Sequence, residues 1–224
     1  QQDNLVFLAK GNAKAVRGEV TVLADQLTAF YTERPDGTTE IYRLDADGSV
    51  RIKSDGQTAN GEKAVYDVGR EILVLSGGTP KMVTTDAVIT AQQQLEYWEQ
   101  RQMAVARGKA EAVKDKRRVR ADVLAAFFRK TKAGENKVYR VDAYDNVSVL
   151  TDRDRAFGDR GVYNVETGIV TLTGSVRILR GKNELNGCKA EVNLNTGISR
   201  LFSCPGGRTK GTLIPGSDRG TAGK

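Results

Sequence analysis

Histidine is missing from all 224 residues. That removes Ser–His–Asp and Cys–His catalysis, histidine metal sites and histidine pH switching. Two cysteines, 16 positions apart, are too few for a thiolate zinc cluster. Aromatics make up only 6%, and no apolar run reaches the ~18 residues a membrane-spanning helix needs. The opening stretch, QQDNLVFLAKG, is polar and has no signal-peptide pattern. Without the usual acid–base side chain, and with no cofactor or metal motif, the expected class is not an enzyme. What the chain has in quantity is positive charge, a formal +7 with a pI near 9.4. Such a balance suits nucleic acid, anionic lipid or acidic glycan, and equally plain solubility.

The chain also repeats itself. GEKAVYDVGREILVLSG starts at Gly61 and GDRGVYNVETGIVTLTG at Gly158, 97 positions later. At the same offset of 97, Leu27, Ala29 and Phe30 meet Leu124, Ala126 and Phe127, and Tyr42, Arg43 and Asp45 meet Tyr139, Arg140 and Asp142. This is a duplication, with units of about 1–97 and 98–194. Within each unit, segments open on Gly11, Gly48 and Gly77, then on Gly108, Asp145 and Gly174. Each is read as a turn residue, a short strand, a polar stretch and a second strand. VETGIV and NLNTGIS place glycine where a hairpin needs a left-handed residue. AVITAQQQLEYWEQRQMAVA looks helical by propensity, but its offset partner carries a hairpin, so strand–turn–strand is expected there too.

Alternation gives the faces. Leu27, Ala29 and Tyr31; Ala64, Tyr66 and Val68; Leu124, Ala126 and Phe128; Tyr163 and Val165; and Ala190, Val192 and Leu194 should point inward. On the returning strands Leu73, Leu75, Val170 and Leu172 are the better choice. A filled sandwich core and an unfilled apolar groove would use the same side chains.

The recurring pattern, clearest in Ala59-Asn60-Gly61-Glu62-Lys63-Ala64-Val65-Tyr66-Asp67 and Ala156-Phe157-Gly158-Asp159-Arg160-Gly161-Val162-Tyr163-Asn164, resembles the OstA-type repeat of the periplasmic LptA family. Ala24-Asp25-Gln26-Leu27 and Ala121-Asp122-Val123-Leu124 fit a variant of it. The resemblance runs from about residue 9 to 205. It implies an all-β fold, an open antiparallel β-jellyroll of two sheets, V-shaped in section. One domain is expected over 1–213, with a closing strand to about 213 and a flexible tail at 214–224. It further implies a lipopolysaccharide carrier in the periplasm, with acyl chains between the sheets. The implied partners are lipopolysaccharide, the transport components at the inner and outer membranes, and further copies of the chain stacked end to end. No anchor and no large barrel are visible, so the resemblance favours the soluble bridge component. The other readings are a basic β-repeat module that binds nucleic acid or acidic glycan, and a carbohydrate-active enzyme. The first needs aromatics interleaved with Lys and Arg, but the tyrosines share faces with Val, Leu and Ala, so no nucleic-acid partner is expected. The second needs paired carboxylates, and the recurrence of Asp25 with Asp122 and Asp45 with Asp142 points to structure instead.

Two local features stand out. In KDKRRVR, Arg117, Arg118 and Arg120 replace Val20, Thr21 and Leu23 of the first unit. They are either a solvated strand or a clamp for lipid head-group anions. Cys188 and Cys204 are symmetric about Thr196, so a three-residue loop there would set them opposite each other as a disulfide; the alternative is two buried thiols.

Overall fold

A computed structural model describes residues 5–54, 56–132 and 134–212; the expected tail at 214–224 lies outside them. Every regular element described is a β-strand, and every described pairing is antiparallel. Contacts divide the chain into two compact units at Gly108–Lys109, 11 residues past the boundary placed at 97.

In the first unit the strands are β1 (Leu5–Arg17), β2 (Val20–Glu33), β3 (Thr39–Ser54), β4 (Gln57–Asp67), β5 (Ile72–Ser76), β6 (Lys81–Val83), β7 (Val88–Thr90) and β8 (Gln94–Trp98). β9 (Met103–Lys114) carries the chain across the division. The ladder runs β1-β2-β3-β4-β5-β8-β9, with β6 on β4 and β7 on β6. The helix-like stretch is thus β7, β8 and the start of β9, and Trp98 pairs with Met103 across the β8–β9 hairpin. In the second unit β10 (Arg117–Lys130), β11 (Asn136–Leu150), β12 (Asp154–Asn164), β13 (Ile169–Arg180), β14 (Asn183–Asn193) and β15 (Ser199–Phe202) follow in sequence order. The short β16 (Lys210–Thr212) pairs with β14.

The residues read from sequence as turns do a different job. Gly11, Gly48, Gly108, Asp145 and Gly174 lie inside long strands, each beginning a pair with positive φ: Gly11–Asn12, Gly48–Ser49, Gly108–Lys109, Asp145–Asn146 and Gly174–Ser175. Register shifts fall at the same places, between Asp47 and Val50 and between Tyr144 and Val147. They are β-bulges that bend a strand so that its two halves belong to different layers. At Gly48 (φ 76°) a side chain is excluded twice: the backbone is left-handed, and an added Cβ would stand 2.3 Å from Asp25 Oδ2. Gly174 (φ 73°) repeats this, with Asp159 Oδ2 at 2.2 Å from such an atom. The carboxylates also bind the bends: Ser49 Oγ donates to Asp25 at 3.2 Å and Asn146 Nδ2 to Asp122 at 2.8 Å. The β5–β6 break has the same origin, since Gly77, Gly78 and Thr79 are all left-handed and Pro80 removes a ladder donor.

The hairpins at VETGIV and NLNTGIS do carry left-handed glycines, Gly168 (φ 69°) and Gly197 (φ 72°), each capped by the asparagine that begins the turn. The second loop has four residues rather than three, because Asn193 pairs with Ile198.

Candidate functional site

In the first unit, register aligns the inner faces strand by strand. Beside the bends, Leu27, Ala46, Ala64, Leu75, Leu95 and Ala106 form one row. The next row outward is Phe7, Ala29, Leu44, Tyr66, Leu73, Tyr97 and Ala104. Beyond it, Tyr31 pairs with Leu5 and stacks on Phe7, with ring centroids 4.4 Å apart. On the far side of the bends, Val22, Ile52 and Ala59 face this surface and join Ala46, Ala64 and Leu75 in one cluster.

Burial follows distance from the bend. Leu75 and Val50, next to it, are 1% exposed, whereas Leu5 is 36%, Ile41 39% and Phe7 55% exposed at the outer rim. Leu27, Tyr31, Tyr66, Leu73 and Tyr97 are half-buried, although they stand on the apolar face. A closed sandwich would bury all of them; a wedge open on one side produces this gradient. In the second unit Leu124, Leu172 and Ala190 line the bend, while Tyr163 and Phe128 are half-buried farther out and Val170 remains covered. Of the expected inner-face residues, Val68 and Val165 fall just past β4 and β12; their amides donate to Tyr42 and Tyr139, and Val165 is 37% exposed.

Each wedge is crossed by an arginine from a hairpin tip. Arg17, at the end of β1, donates to the Tyr66 hydroxyl at 2.5 Å and lies 3.8 Å from Glu99. Burial pushes the Tyr66 hydroxyl up from its ordinary pKa, while the Arg17 hydrogen bond works against that shift. In the second unit Arg117, at the start of β10, donates to the Leu194 carbonyl at 3.0 Å. Leu194 is the offset partner of Tyr97, so both arginines reach the same hairpin region of their unit.

The three-arginine run is therefore divided. Arg117 alternates with Val119 on the apolar face, whereas Arg118 and Arg120 point to the other face and share Glu111 as counterion. The geometry does not bring the three together. The paired aspartates have structural partners too: Arg43 grips Asp45 through two hydrogen bonds of 2.6 and 2.7 Å, and Arg140 grips Asp142 at the same distances. Each of these arginines also covers a phenylalanine, Phe30 and Phe127, on the outward face.

Cys188 of β14 and Cys204, just past β15, are disulfide-bonded, with Cα atoms 4.9 Å apart. Tyr97, Leu95 and Arg17 were not singled out from sequence. Leu95 and Tyr97 alternate within QLEYW and so had a visible signal; a lone strand-end arginine has none.

The family described as LptA/(LptD N-terminal domain) LPS transport protein matches residues 1–102 and again 88–198. An uncharacterized protein of Rhizobium meliloti (strain 1021) is 25% identical over 150 residues, covering 65% of this chain and 76% of its own length. A crystal structure of LptH from Pseudomonas aeruginosa, titled the LptA homologous periplasmic component of the lipopolysaccharide transport device, is 16% identical. It covers 58% of this chain and 95% of its own, with a TM-score of 0.49.

Proposed function

The chain belongs to the LptA/(LptD N-terminal domain) family of LPS transport proteins, and from that premise we propose that the inner face of each unit holds lipid A acyl chains during transfer through the periplasm. The observation that carries this reading is the burial gradient. Leu27, Tyr31, Tyr66, Leu73, Phe128 and Tyr163 are on apolar faces but half-exposed. Filling the wedge with acyl chain would remove that surface from water at about 25 cal/mol per Å². Leu75, Leu124, Val170 and Leu172 form its floor, and Val68 and Val165 its turn-side margin.

Arg17 and Arg117 are placed to meet head-group anions at the rim, since a guanidinium binds phosphate bidentately. On this reading Arg117 keeps the head-group role considered for the basic run, and Arg118 and Arg120 do not share it. We also propose end-to-end self-association and docking to neighbouring transport components through free strand edges. Among the described residues β1 pairs only with β2, and it exposes Val6 (44%), Phe7 (55%) and Leu8 (52%). Such an edge invites strand addition.

Leu73→Asp tests the lipid reading. A carboxylate on the apolar face should lower lipopolysaccharide binding roughly tenfold or more, given the cost of desolvating a charge. Unchanged affinity in a folded variant would contradict it.

A further inference from the structure

On the outward side of the second unit lies a cationic surface that the lipid-carrying reading does not use. Register aligns Arg120, Ser148, Phe157, Arg177, Asn186 and Lys210 across adjacent strands on one face. Arg118, Leu150, Arg155, Leu179 and Glu184 form the neighbouring row. The apolar residues between them in sequence, Val149, Ala156 and Ile178, point the other way and are at most 4% exposed. Arg118, Arg120, Ser148, Leu150, Arg155 and Phe157 enclose a depression of about 270 Å³.

Five cations share this face with two carboxylates. Glu111 is engaged by both Arg118 and Arg120, and Glu184 accepts from Asn186. Among the described residues Arg155 and Arg177 make no ion pair; Arg177 lies over the Phe157 ring, 4.7 Å from its centroid. The fold does not require this arrangement. At the offset of 97 the first unit has Thr21, Leu23, Thr58 and Pro80 where the second has Arg118, Arg120, Arg155 and Arg177. The equivalent rows of the first unit carry Arg51, Lys53 and Lys81, so both copies are basic, but the second concentrates four guanidinium groups where the first has one.

We propose that this outward face of the second unit docks on the surface of a bilayer that contains anionic phospholipid. The positive charge supplies complementarity to lipid phosphates, and Arg can hold each phosphate through two hydrogen bonds. Half-buried Leu150, Leu179 and Phe157 lie between the cations, the mixture that suits the head-group boundary. From β10 to β16 the face crosses five strand spacings of about 4.8 Å, broad enough for several lipid heads at once. A single-stranded polyanion would instead need open aromatic faces for stacking, and the Phe157 face is occupied by Arg177. The site is separate from the inner faces, so the proposal stands independently of acyl-chain binding there.

The test is sedimentation of the full chain with phosphatidylcholine vesicles, with and without phosphatidylglycerol. Binding should require phosphatidylglycerol and weaken with salt. Arg155→Ser with Arg177→Ser should reduce it roughly 30-fold, from about fivefold per cation near an anionic surface. Arg51→Ser with Lys53→Ser, on the first unit, should change it less than about twofold on the same scale. Lipopolysaccharide affinity and thermal midpoint should be unaltered in both variants. The proposal is overturned if the chain ignores phosphatidylglycerol, as a surface for an acidic protein would, or if both double variants lose binding equally.

Discussion

Arg17 and Tyr66 join the two layers of the first unit: the guanidinium at the end of β1 donates to the phenolic oxygen near the end of β4 across 2.5 Å. The β1 half that ends at Arg17 and the β4 half that carries Tyr66 lie on different sides of the bends. The bond therefore crosses the wedge where acyl chains would enter. The Arg17 side chain is 66% exposed, so its contribution to stability is small. Arg17→Ala should shift the thermal midpoint little but accelerate both loading and release of fluorescent lipopolysaccharide in stopped-flow traces. Unchanged rates would mean that the pair does not guard the opening.

At two bends a glycine is demanded both by the backbone and by a packed carboxylate. Gly48→Ala and Gly174→Ala each force a Cβ into Asp25 or Asp159 in addition to the left-handed backbone. Gly37→Ala has a similar φ of 78° but open space around it. We expect the bend variants to lose about 2–3 kcal/mol and Gly37→Ala about 1–2 kcal/mol in urea titrations. Equal losses would leave the carboxylate contact without importance.

Glu96 is a buried carboxylate on the outward side of β8. Burial pushes its pKa up, but hydrogen bonds from Arg107, Gln94 and Trp98 outweigh this and hold it below the ordinary value. A depressed folded-state pKa stabilises above the unfolded value and loses that stabilisation as pH falls through the folded one. Glu96→Gln should therefore cost about 1–3 kcal/mol at neutral pH. The difference from wild type should narrow below about pH 4, near the unfolded carboxylate value. A gap that stays constant down to acid would refute the assignment.

The disulfide ties down β15, which pairs with β14 only over Lys189–Val192. Cys188→Ser with Cys204→Ser should cost up to about 3 kcal/mol, the scale for closing a loop of this length. Hydrogen exchange should rise in β15 before anywhere in β10–β13. A uniform rise would mean that the bond supports the whole unit.

Edge association is tested by charge. Leu8→Lys places a cation on the exposed edge strand, on the row opposite the Phe7–Tyr31 stack. It should shift concentrated samples toward monomer in analytical ultracentrifugation, while wild type self-associates. An unchanged distribution would exclude β1 from the contact.

Much of this architecture was legible because the chain is written twice. The offset of 97 overruled the helical look of AVITAQQQLEYWEQRQMAVA, and alternation placed Leu27, Tyr66 and Tyr163 on the apolar face. The glycines were misread because both a turn and a mid-strand bulge demand left-handed residues; only the ladder on either side tells them apart. Arg118 is one residue from Arg117 and Arg120 three, both odd steps, and alternation alone would have separated them. Arg17 was hidden because its partner is 49 residues away and lies on the other layer. The four-residue loop at Asn195 moved the register by one, so Cys204 reaches Cys188 from past the strand end. The open side of the wedge had no signature in sequence, since a full core uses the same side chains.

The central claim is that the half-buried apolar faces contact acyl chains. A photoreactive residue at Tyr66 or Tyr163, irradiated with lipopolysaccharide, should give covalent adducts. The same residue at Lys63, on the outward row of β4, should give none. Equal labelling at Tyr66 and Lys63 would contradict the account.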